Sequence, residues 1–511
     1  MAFAAETLES TPGRSVIVVT SPATLQKVAE IPVTTADELA AAAARARVAQ
    51  PAWAKLSFSE RARALRRFRE ALLDDAERCA DVLTGETGKP RSDAYGVELV
   101  YVCDAISYWG KNAETFLRDE RVWPHLLKNK AAYSTYSPVG LVGIIGPWNF
   151  PFVLTIGDAL PALMAGNAVI IKPSEVTPGT AMFGAEVWRR AGLPADVLQV
   201  VPGYGDVGAK LVDQVDMILF TGSVATGRKV AVRAAERLIP CSLELGGKDP
   251  MIVLKDADLE RAANACVWGG LVNSGQVCLS VERVYVEAPV YEPFVRLVQQ
   301  KIKKVKQGPS AEAVDVGSMT FPPQLEKVER HVADAVAKGA KVLAGGRRNA
   351  AHPGLYYEPT LLTDVTHEME VMRDETFGPV IPIMKVADED EAIRMANDSP
   401  YGLGASVFTR DAAKGRAIAR RIEAGGICVN DAIVHFAVTD LPMGGVKESG
   451  IGRRHAAEGI RKFCYQKSVV VDRFGLKSEF NWFPSTAEKL KGLKRVMNLL
   501  YRSGWRKKLF G

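Results

Sequence analysis

From about residue 130 the chain is written as short apolar runs separated by helical stretches, and this alternation restricts its fold more than any other feature. VGLVGIIG, NAVIIK, VLQVV, DMILF and PMIVL are runs of strand length, with helical stretches such as 177–191 and 225–237 between them. Strands alternating with helices at this spacing build βαβ units and a mostly parallel sheet. The texture returns in PTLLTDV, PVIPIMKV and GASVFTR, with helices near 388–397 and 411–424, so a second α/β sheet is predicted. Residues 35–120 read as helical, because apolar positions recur every three or four residues among Ala, Leu, Arg and Glu. Two α/β domains in one chain often hold a site between them.

Composition narrows the class. With 511 residues, 47% hydrophobic and 24% charged, the chain is ordinary for a globular protein of two or three domains and is neither disordered nor fibrous. No run of 18 apolar residues is present, and MAFAAETLESTPGRS lacks a basic stretch followed by an apolar one, so neither a spanning helix nor a secretory signal is expected. The seven cysteines are odd in number and form no CxxC pair or Cys/His cluster. A disulfide framework and a metal site are therefore not expected, and a reducing, cytoplasmic setting is. Most of these thiols should be buried and inert, which leaves room for one nucleophile.

Charge is unevenly placed. Residues 473–511 hold ten Lys and Arg against Glu479 and Glu488, a net +8, while the whole chain is +6, so the remainder sums to −2. A nucleic-acid-binding surface would spread its basic residues along the fold, so no nucleic acid is expected as a partner.

Several segments could carry chemistry. Gly203-Tyr204-Gly205-Asp206-Val207-Gly208 is a literal GxGxxG after a strand, but the next strand, DMILF, ends in Phe220-Thr221-Gly222 with no acid to hold a ribose. Gly222-Ser223-Val224-Ala225-Thr226-Gly227 follows a strand and opens a helix, where backbone can approach a pyrophosphate. Cys278 stands after a Gly-Gln pair in Asn273-Ser274-Gly275-Gln276-Val277-Cys278 and is either a structural thiol or a nucleophile. Glu244, in Leu243-Glu244-Leu245-Gly246-Gly247-Lys248, is either a desolvated base or an ordinary strand-end glutamate. In Gly146-Pro147-Trp148-Asn149-Phe150-Pro151 the asparagine is held between aromatics and prolines, where its amide could face an oxyanion or simply make a turn. Lys172, Ser174 and Glu175 end the strand NAVIIK at a carboxyl edge that could meet ribose hydroxyls. Asp374-Glu375-Thr376-Phe377-Gly378-Pro379 is a similar acid-aromatic element in the second sheet.

Taken together and in order, PWNFP (147–151), KPSE (172–175), FTGS (220–223), LELGGK (243–248), GQVC (275–278), ETFGP (375–379) and PMGG (442–445) resemble the aldehyde dehydrogenase superfamily, near its bacterial semialdehyde-type members. The resemblance covers roughly residues 20–472. It implies an α/β fold with a Rossmann-like nucleotide-binding domain (1–124 and 139–246) and a catalytic domain (247–464). It also implies a β oligomerisation arm (125–138 and 465–472) that makes a dimer or tetramer. Cys278 would be the nucleophile, Asn149 and the Cys278 N–H the oxyanion donors, and Glu244 the base that activates water against a thioester. Lys172 and Glu175 would meet the adenosine ribose, with Ser174 beside them in the cofactor set, Ser223 with Gly222 and Gly227 the pyrophosphate, and Glu375 the nicotinamide ribose. Ile145, Trp148, Gly205, Leu245 and Phe377 complete the cofactor set. No metal is implied. NAD is favoured over NADP, because the Glu175 carboxylate would repel a 2′-phosphate.

Three alternatives remain open at this stage: a CoA-acylating relative, a semialdehyde-specific enzyme, and a non-catalytic protein on the same scaffold. Glu244 speaks against the first, because CoA-acylating relatives tend to lack it. Cys278 and Asn149 speak against the last. Members that take carboxylate-bearing aldehydes often place arginines eight residues after the PWNF asparagine and six before the nucleophile. Here those positions are Gly157 and Val272. A wide, apolar tunnel of Leu154, Gly157, Val272 and Leu279 is expected, with His435 and Phe436 near its mouth and His435 a rim residue.

The family core does not require the tail, 473–511. It carries seven aromatics in 39 residues, about twice the 8% of the whole chain. Ser485 as N-cap with Glu488 reads as a capping box. The following helix would place Leu490, Leu493, Val496, Met497 and Leu500 on one face, weakened by Gly492. Trp505-Arg506-Lys507-Lys508-Leu509-Phe510 follows. The tail reads either as a helix packed on the protein or as an interfacial anchor on anionic membranes.

Overall fold

The apolar runs are strands in the computed structural model, which describes residues 14–311 and 313–502. Leu141–Ile145, Ala168–Lys172 and Met217–Thr221 are buried at every position, as strands covered on both faces must be. They form the middle of a six-stranded sheet. Its order is Leu198–Val200, Ala168–Lys172, Leu141–Ile145, Met217–Thr221 and Cys241–Glu244, all parallel, with Gly450–Ile451 antiparallel at the edge. The chain builds outward from Leu141–Ile145 on one side and then returns to its other side. The order therefore reverses between Leu141–Ile145 and Met217–Thr221, which is where open α/β sheets bind ligands. Register pairs Ile145 with Lys172 and Phe220, and Thr221 with Glu244. Lys172, Ile145 and Phe220 thus stand in one row at the carboxyl edge, and Thr221 and Glu244 in the next.

The second sheet has seven strands, in the order Lys341–Ala344, Thr360–Thr363, Val380–Val386, Val281–Glu287, Asp249–Val253, Gly404–Phe408 and Gly426–Val429. Only its first pair is antiparallel. Helices fall close to their predicted places, at Pro178–Arg190, Val224–Glu236 and Glu389–Asn397. The helix read at 411–424 is shorter, Ala412–Ala419. The helical N-terminal region is Ala36–Lys55, Phe58–Asp74, Ala76–Thr87 and Val100–Leu117, the first two begun by capping boxes at Thr35/Glu38 and Ser57/Glu60.

Residues up to Arg118 together with Tyr136–Gln466 form one compact unit, and Asp119–Thr135 with the chain from Lys467 onward forms another. The predicted arm strands run Lys130–Pro138 and Cys464–Asp472, and a third strand, Glu120–Val122, joins them in a small sheet. In the second unit Lys130 pairs with Asp472 at 2.7 Å and with Glu479. Its helix is Ala487–Tyr501, and the N-cap is Thr486 rather than Ser485. Thr486 has extended backbone (φ −109°, ψ 159°), and its hydroxyl accepts from the Lys489 N–H at 3.2 Å. Gly492 has a packing reason, since a Cβ there would lie 3.3 Å from the Phe480 ring. The predicted Trp505–Phe510 element and most of the N-terminal stretch lie outside the described residues.

Candidate active site

Three consecutive residues with left-handed backbone, Asn273 (φ 50°), Ser274 (φ 58°) and Gly275 (φ 70°), end the helix Leu259–Leu271 and turn the chain toward Cys278. Such backbone is costly for residues with a side chain, so tertiary contacts must hold it. The Ser274 hydroxyl donates to the carbonyls of Gly317 and Ser318 at 3.1 and 3.2 Å. Gln276, fully buried, donates to Asn273 O at 3.0 Å and accepts from Thr320 N at 2.9 Å. At Gly275 a Cβ would stand 2.1 Å from the Gly378 carbonyl, so only glycine lets this loop meet the ETFGP segment.

The same crowding joins LELGGK to the nucleophile loop. A Cβ on Gly247 would lie 2.2 Å from the Cys278 carbonyl oxygen. The Asn149 amide Nδ2 donates to Gln276 O at 2.9 Å, which places it two residues from Cys278. Its second N–H remains for an oxyanion. Glu244 is buried, and both its carboxylate oxygens lack a hydrogen-bond partner. Burial raises this carboxyl to about 7 against the pull of Arg454, whose Nε lies 3.6 Å from Oε1. Burial likewise pushes the Cys278 thiol up to about 12, with Asp249 and Glu244 adding to the shift and Arg454 opposing it. Cys278, Asn149 and Glu244 are thus brought together.

Sequence reading missed the layer behind them. The Asn149 carbonyl accepts from Lys89 Nζ at 2.9 Å and from Asn273 Nδ2 at 3.0 Å. Lys89 is ion-paired to Glu98, both fully buried, and Glu98 also accepts from the N–H groups of Phe152 and Val153 at 2.8 and 3.2 Å. Lys248 pairs with Glu282 at 2.5 Å, and Glu282 receives the N–H groups of Thr376 and Phe377 at 2.6 and 2.7 Å. No local signal marks this pair, because the backbone groups that Lys89 and Glu98 hold around Asn149 lie 54–60 residues away in the sequence.

The residues expected to meet a cofactor fall at the carboxyl edge of the first sheet and on the segment before the second-sheet strand Val380–Val386. Lys172 is buried at the first-sheet edge, 3.3 Å from the half-exposed Glu175, and Ser174 Oγ accepts from Val176 N at 3.2 Å. Ser223 caps the helix Val224–Glu236, and Gly227 lets that helix close on Leu245, since a Cβ there would lie 2.5 Å from the leucine. Gly205 is not part of a tight fingerprint turn but the first residue of the helix Gly205–Gln214, which meets Ile145 and Lys172 at Gly208. Glu375 accepts from Gly247 N at 3.0 Å, and Trp148 packs edge-on against Phe377 at 5.4 Å. A buried cation, a solvent-facing carboxylate and a capped helix start beyond the carboxyl ends of neighbouring strands suit the ribose and pyrophosphate of a dinucleotide, so these residues fit the implied cofactor.

One tunnel residue differs from expectation. Leu154, Val272 and Leu279 are buried in the apolar cluster on which Cys278, Tyr101 and Phe436 pack. A Cβ on Gly157 would lie at ordinary contact distance from Val102 and Tyr101, 3.5 and 3.7 Å. Phe436 stacks on Tyr101 at 5.0 Å. His435 is not a rim residue. It is packed over Gly404 and Gly426, with Nδ1 3.5 Å from Cys428 Sγ, and burial holds its pKa near about 4.

With this geometry in view, comparison with known proteins is decisive for the family. Residues 8–469 match the aldehyde dehydrogenase family. The chain is 42% identical over 481 residues to a putative succinate-semialdehyde dehydrogenase (NADP(+)) 2 of Mycobacterium tuberculosis, covering 93% of this chain and 92% of that one. It is 40% identical over 452 residues to a 4,4'-diapolycopene aldehyde oxidase of Methylomonas sp, covering 88% and 84%. A crystal structure of Mycobacterium tuberculosis aldehyde dehydrogenase complexed with NAD+ superimposes with a TM-score of 0.87 at 35% identity, covering 92% and 97%. The chain belongs to the aldehyde dehydrogenase family. It is a nicotinamide-dependent oxidoreductase acting on aldehydes.

Proposed function

We propose that this enzyme oxidises an apolar aldehyde, of medium or long chain or aromatic, to its carboxylic acid, with Cys278 as nucleophile, Asn149 as oxyanion donor and Glu244 as hydrolytic base. The observation that carries this reading is the buried Glu244 carboxyl, which accepts no hydrogen bond, on the segment whose Gly247 closes on the Cys278 loop. Cys278 Sγ bonds to the aldehyde carbon, and the charge on oxygen is met by the second Asn149 N–H and the Cys278 N–H. When bound, the nicotinamide supplies the hydride acceptor. The resulting thioester loses its acyl group to water, whose proton Glu244 takes as the C–O bond forms and the C–S bond breaks. Lys172, Ser174, Glu175, Ser223 and Glu375 would hold the cofactor.

NAD is the preferred cofactor in this reading. Glu175 stands 3.3 Å from Lys172 and can accept from ribose hydroxyls, whereas a 2′-phosphate would meet its charge. A difference of about 1.4 kcal/mol is tenfold in selectivity. Each substrate CH₂ buried in the cluster of Leu154, Val272 and Leu279 adds roughly 0.8 kcal/mol, about fourfold in kcat/KM. The kinetic test is a panel of alkyl, aromatic and carboxylated aldehydes with NAD or NADP, with and without CoA. Rising kcat/KM with chain length, at least tenfold better with NAD and unaffected by CoA, is expected. A semialdehyde dehydrogenase of the kind named for the Mycobacterium tuberculosis relative is the second reading. Succinate semialdehyde as best substrate, or NADP as the equal cofactor, would establish it instead. Seven free cysteines support a reducing cytoplasm as the setting, and the largely exposed strand Cys464–Asp472 supports a homo-oligomer.

The tail serves, in the same proposal, as a peripheral contact with anionic membranes. Among the described residues no helix is long and apolar enough to cross a membrane. The helix Ala487–Tyr501 instead exposes its apolar stripe, with Leu490 and Leu493 54% and 52% exposed and Met497 56%. Lys489, Lys491, Lys494 and Arg495 flank it, and Trp482 and Phe483 are exposed just before it. Basic residues near an anionic surface contribute about 1 kcal/mol each, and aromatics settle at the boundary. The full chain is expected to co-sediment with phosphatidylglycerol-containing vesicles at low salt and less at high salt, and Leu493→Glu to abolish binding. Undiminished binding by Leu493→Glu, or a change of oligomeric state in its place, would assign the stripe to a second subunit.

A further inference from the structure

Behind Glu244 lies a buried charge cluster that the reaction as written does not use. Arg454 follows the edge strand Gly450–Ile451, and its guanidinium is 5% exposed. It is ion-paired through Nη1 to Asp158 and donates through Nη2 to Thr221 Oγ1 at 2.6 Å, which leaves Nε facing Glu244 Oε1 at 3.6 Å. That distance lies beyond a hydrogen bond, so the arginine acts on Glu244 by charge alone. Asp158 comes from the segment after Asn149, and Thr221 from the strand next to that of Glu244. The three elements therefore meet at one guanidinium.

We propose that Arg454 and Asp158 are an opposed pair of positioning residues that set the proton affinity of Glu244, the arginine favouring its carboxylate and the aspartate restraining the arginine. This rests on the reading of Glu244 as the hydrolytic base. Asp158 shares the guanidinium with Glu244. Neutralising Asp158 leaves more of the arginine's charge to Glu244, and removing the arginine leaves Glu244 with the repulsion of Asp158. The other groups facing Glu244 are Arg453 and Lys462, which favour its carboxylate. Lys462 donates to Ser242 Oγ at 3.2 Å. Tyr101 and His455, bonded to each other at 2.6 Å, also feel the charge of the arginine, and burial with Arg454 keeps His455 neutral. An opposite charge near a carboxyl moves its titration by about 1–3 units, a range that a pH profile resolves.

The reaction that isolates the base needs no cofactor. Cys278 Sγ displaces p-nitrophenolate from p-nitrophenyl acetate and forms a thioester. Water then releases acetate, with Glu244 taking the proton and the sulfur leaving as thiolate. The p-nitrophenolate burst reports acylation, and the steady phase reports deacylation. Asp158→Asn is expected to move the deacylation pH midpoint about 1 unit acid, and Arg454→Met about 1 unit alkaline. Arg454→Lys should keep the parent midpoint. The double variant Arg454→Met/Asp158→Asn, which leaves no unpaired charge, should return toward the parent and covers failure of a single variant to fold. Shifts in the same direction, or none, would overturn the inference, because a merely structural role slows turnover without moving midpoints in opposite senses. Glu244→Gln run alongside separates the two readings. If it deacylates like the parent, the base assignment fails. If it is slow while the Arg454 and Asp158 variants do not diverge, only the pair fails.

Discussion

Glu244→Gln is expected to form one equivalent of NADH per active site and then nearly stop, with steady turnover down by about 10²–10⁴, the usual contribution of a positioned general base. The carboxamide keeps the shape of the carboxyl but cannot take a proton from water, so the acyl group stays on Cys278. Cys278→Ala should remove the burst as well. Rapid mixing with an aldehyde and NAD, followed by intact mass of the quenched protein, reads both phases. The Glu244 variant should carry the acyl mass, and the Cys278 variant should not. In the parent enzyme, steady turnover should climb with pH through about 7, because the base is available only above its own pKa and burial has raised that pKa. Full steady activity in Glu244→Gln would show that another group activates the water.

The second large effect is on stability. Lys89→Met leaves the Glu98 carboxylate buried without its partner, and breaking a buried pair in this way costs about 3–5 kcal/mol. Lys89 also donates to the Asn149 carbonyl at 2.9 Å and lies 4.4 Å over the Phe150 ring, so the PWNF turn loses a support at the asparagine and another at the residue after it. Activity should fall further than stability alone explains, because the oxyanion donor is no longer fixed. In Lys89→Met/Glu98→Gln the unpaired charge is gone, and much of the stability should return while activity stays low. Chemical denaturation with paired kinetics measures both. A Lys89→Met variant within about 1 kcal/mol of the parent would show that Glu98 is satisfied by the Phe152 and Val153 N–H groups alone.

The readings that succeeded from sequence share a physical basis. Leu141–Ile145 and Met217–Thr221 must be covered on both faces because every residue in them is apolar or small, and that alone implies a central parallel sheet. Cys278, Glu244 and Asn149 could be singled out as candidates because each sits in a segment whose glycines or prolines leave the backbone few options. Ser223 at the start of a helix was legible for the same reason.

What the sequence alone determined, then, is the alternation that makes two α/β sheets, the local segments that present the reacting groups, and the amphipathic character of the tail. Tertiary structure decided what surrounds those groups. Arg454 reaches Glu244 only because Gly450–Ile451 pairs antiparallel with Cys241–Glu244. Lys89 reaches Asn149 from the loop that follows the helix Ala76–Thr87, Tyr101 comes beside Gly157 from the helix Val100–Leu117, and His435 packs over Gly404 and Gly426 while its neighbour Phe436 stacks on Tyr101. The reason is range. Strand periodicity, caps and tight turns are set by neighbours a few residues apart, whereas burial, charge pairing and the filling of space depend on atoms that folding brings in from hundreds of residues away.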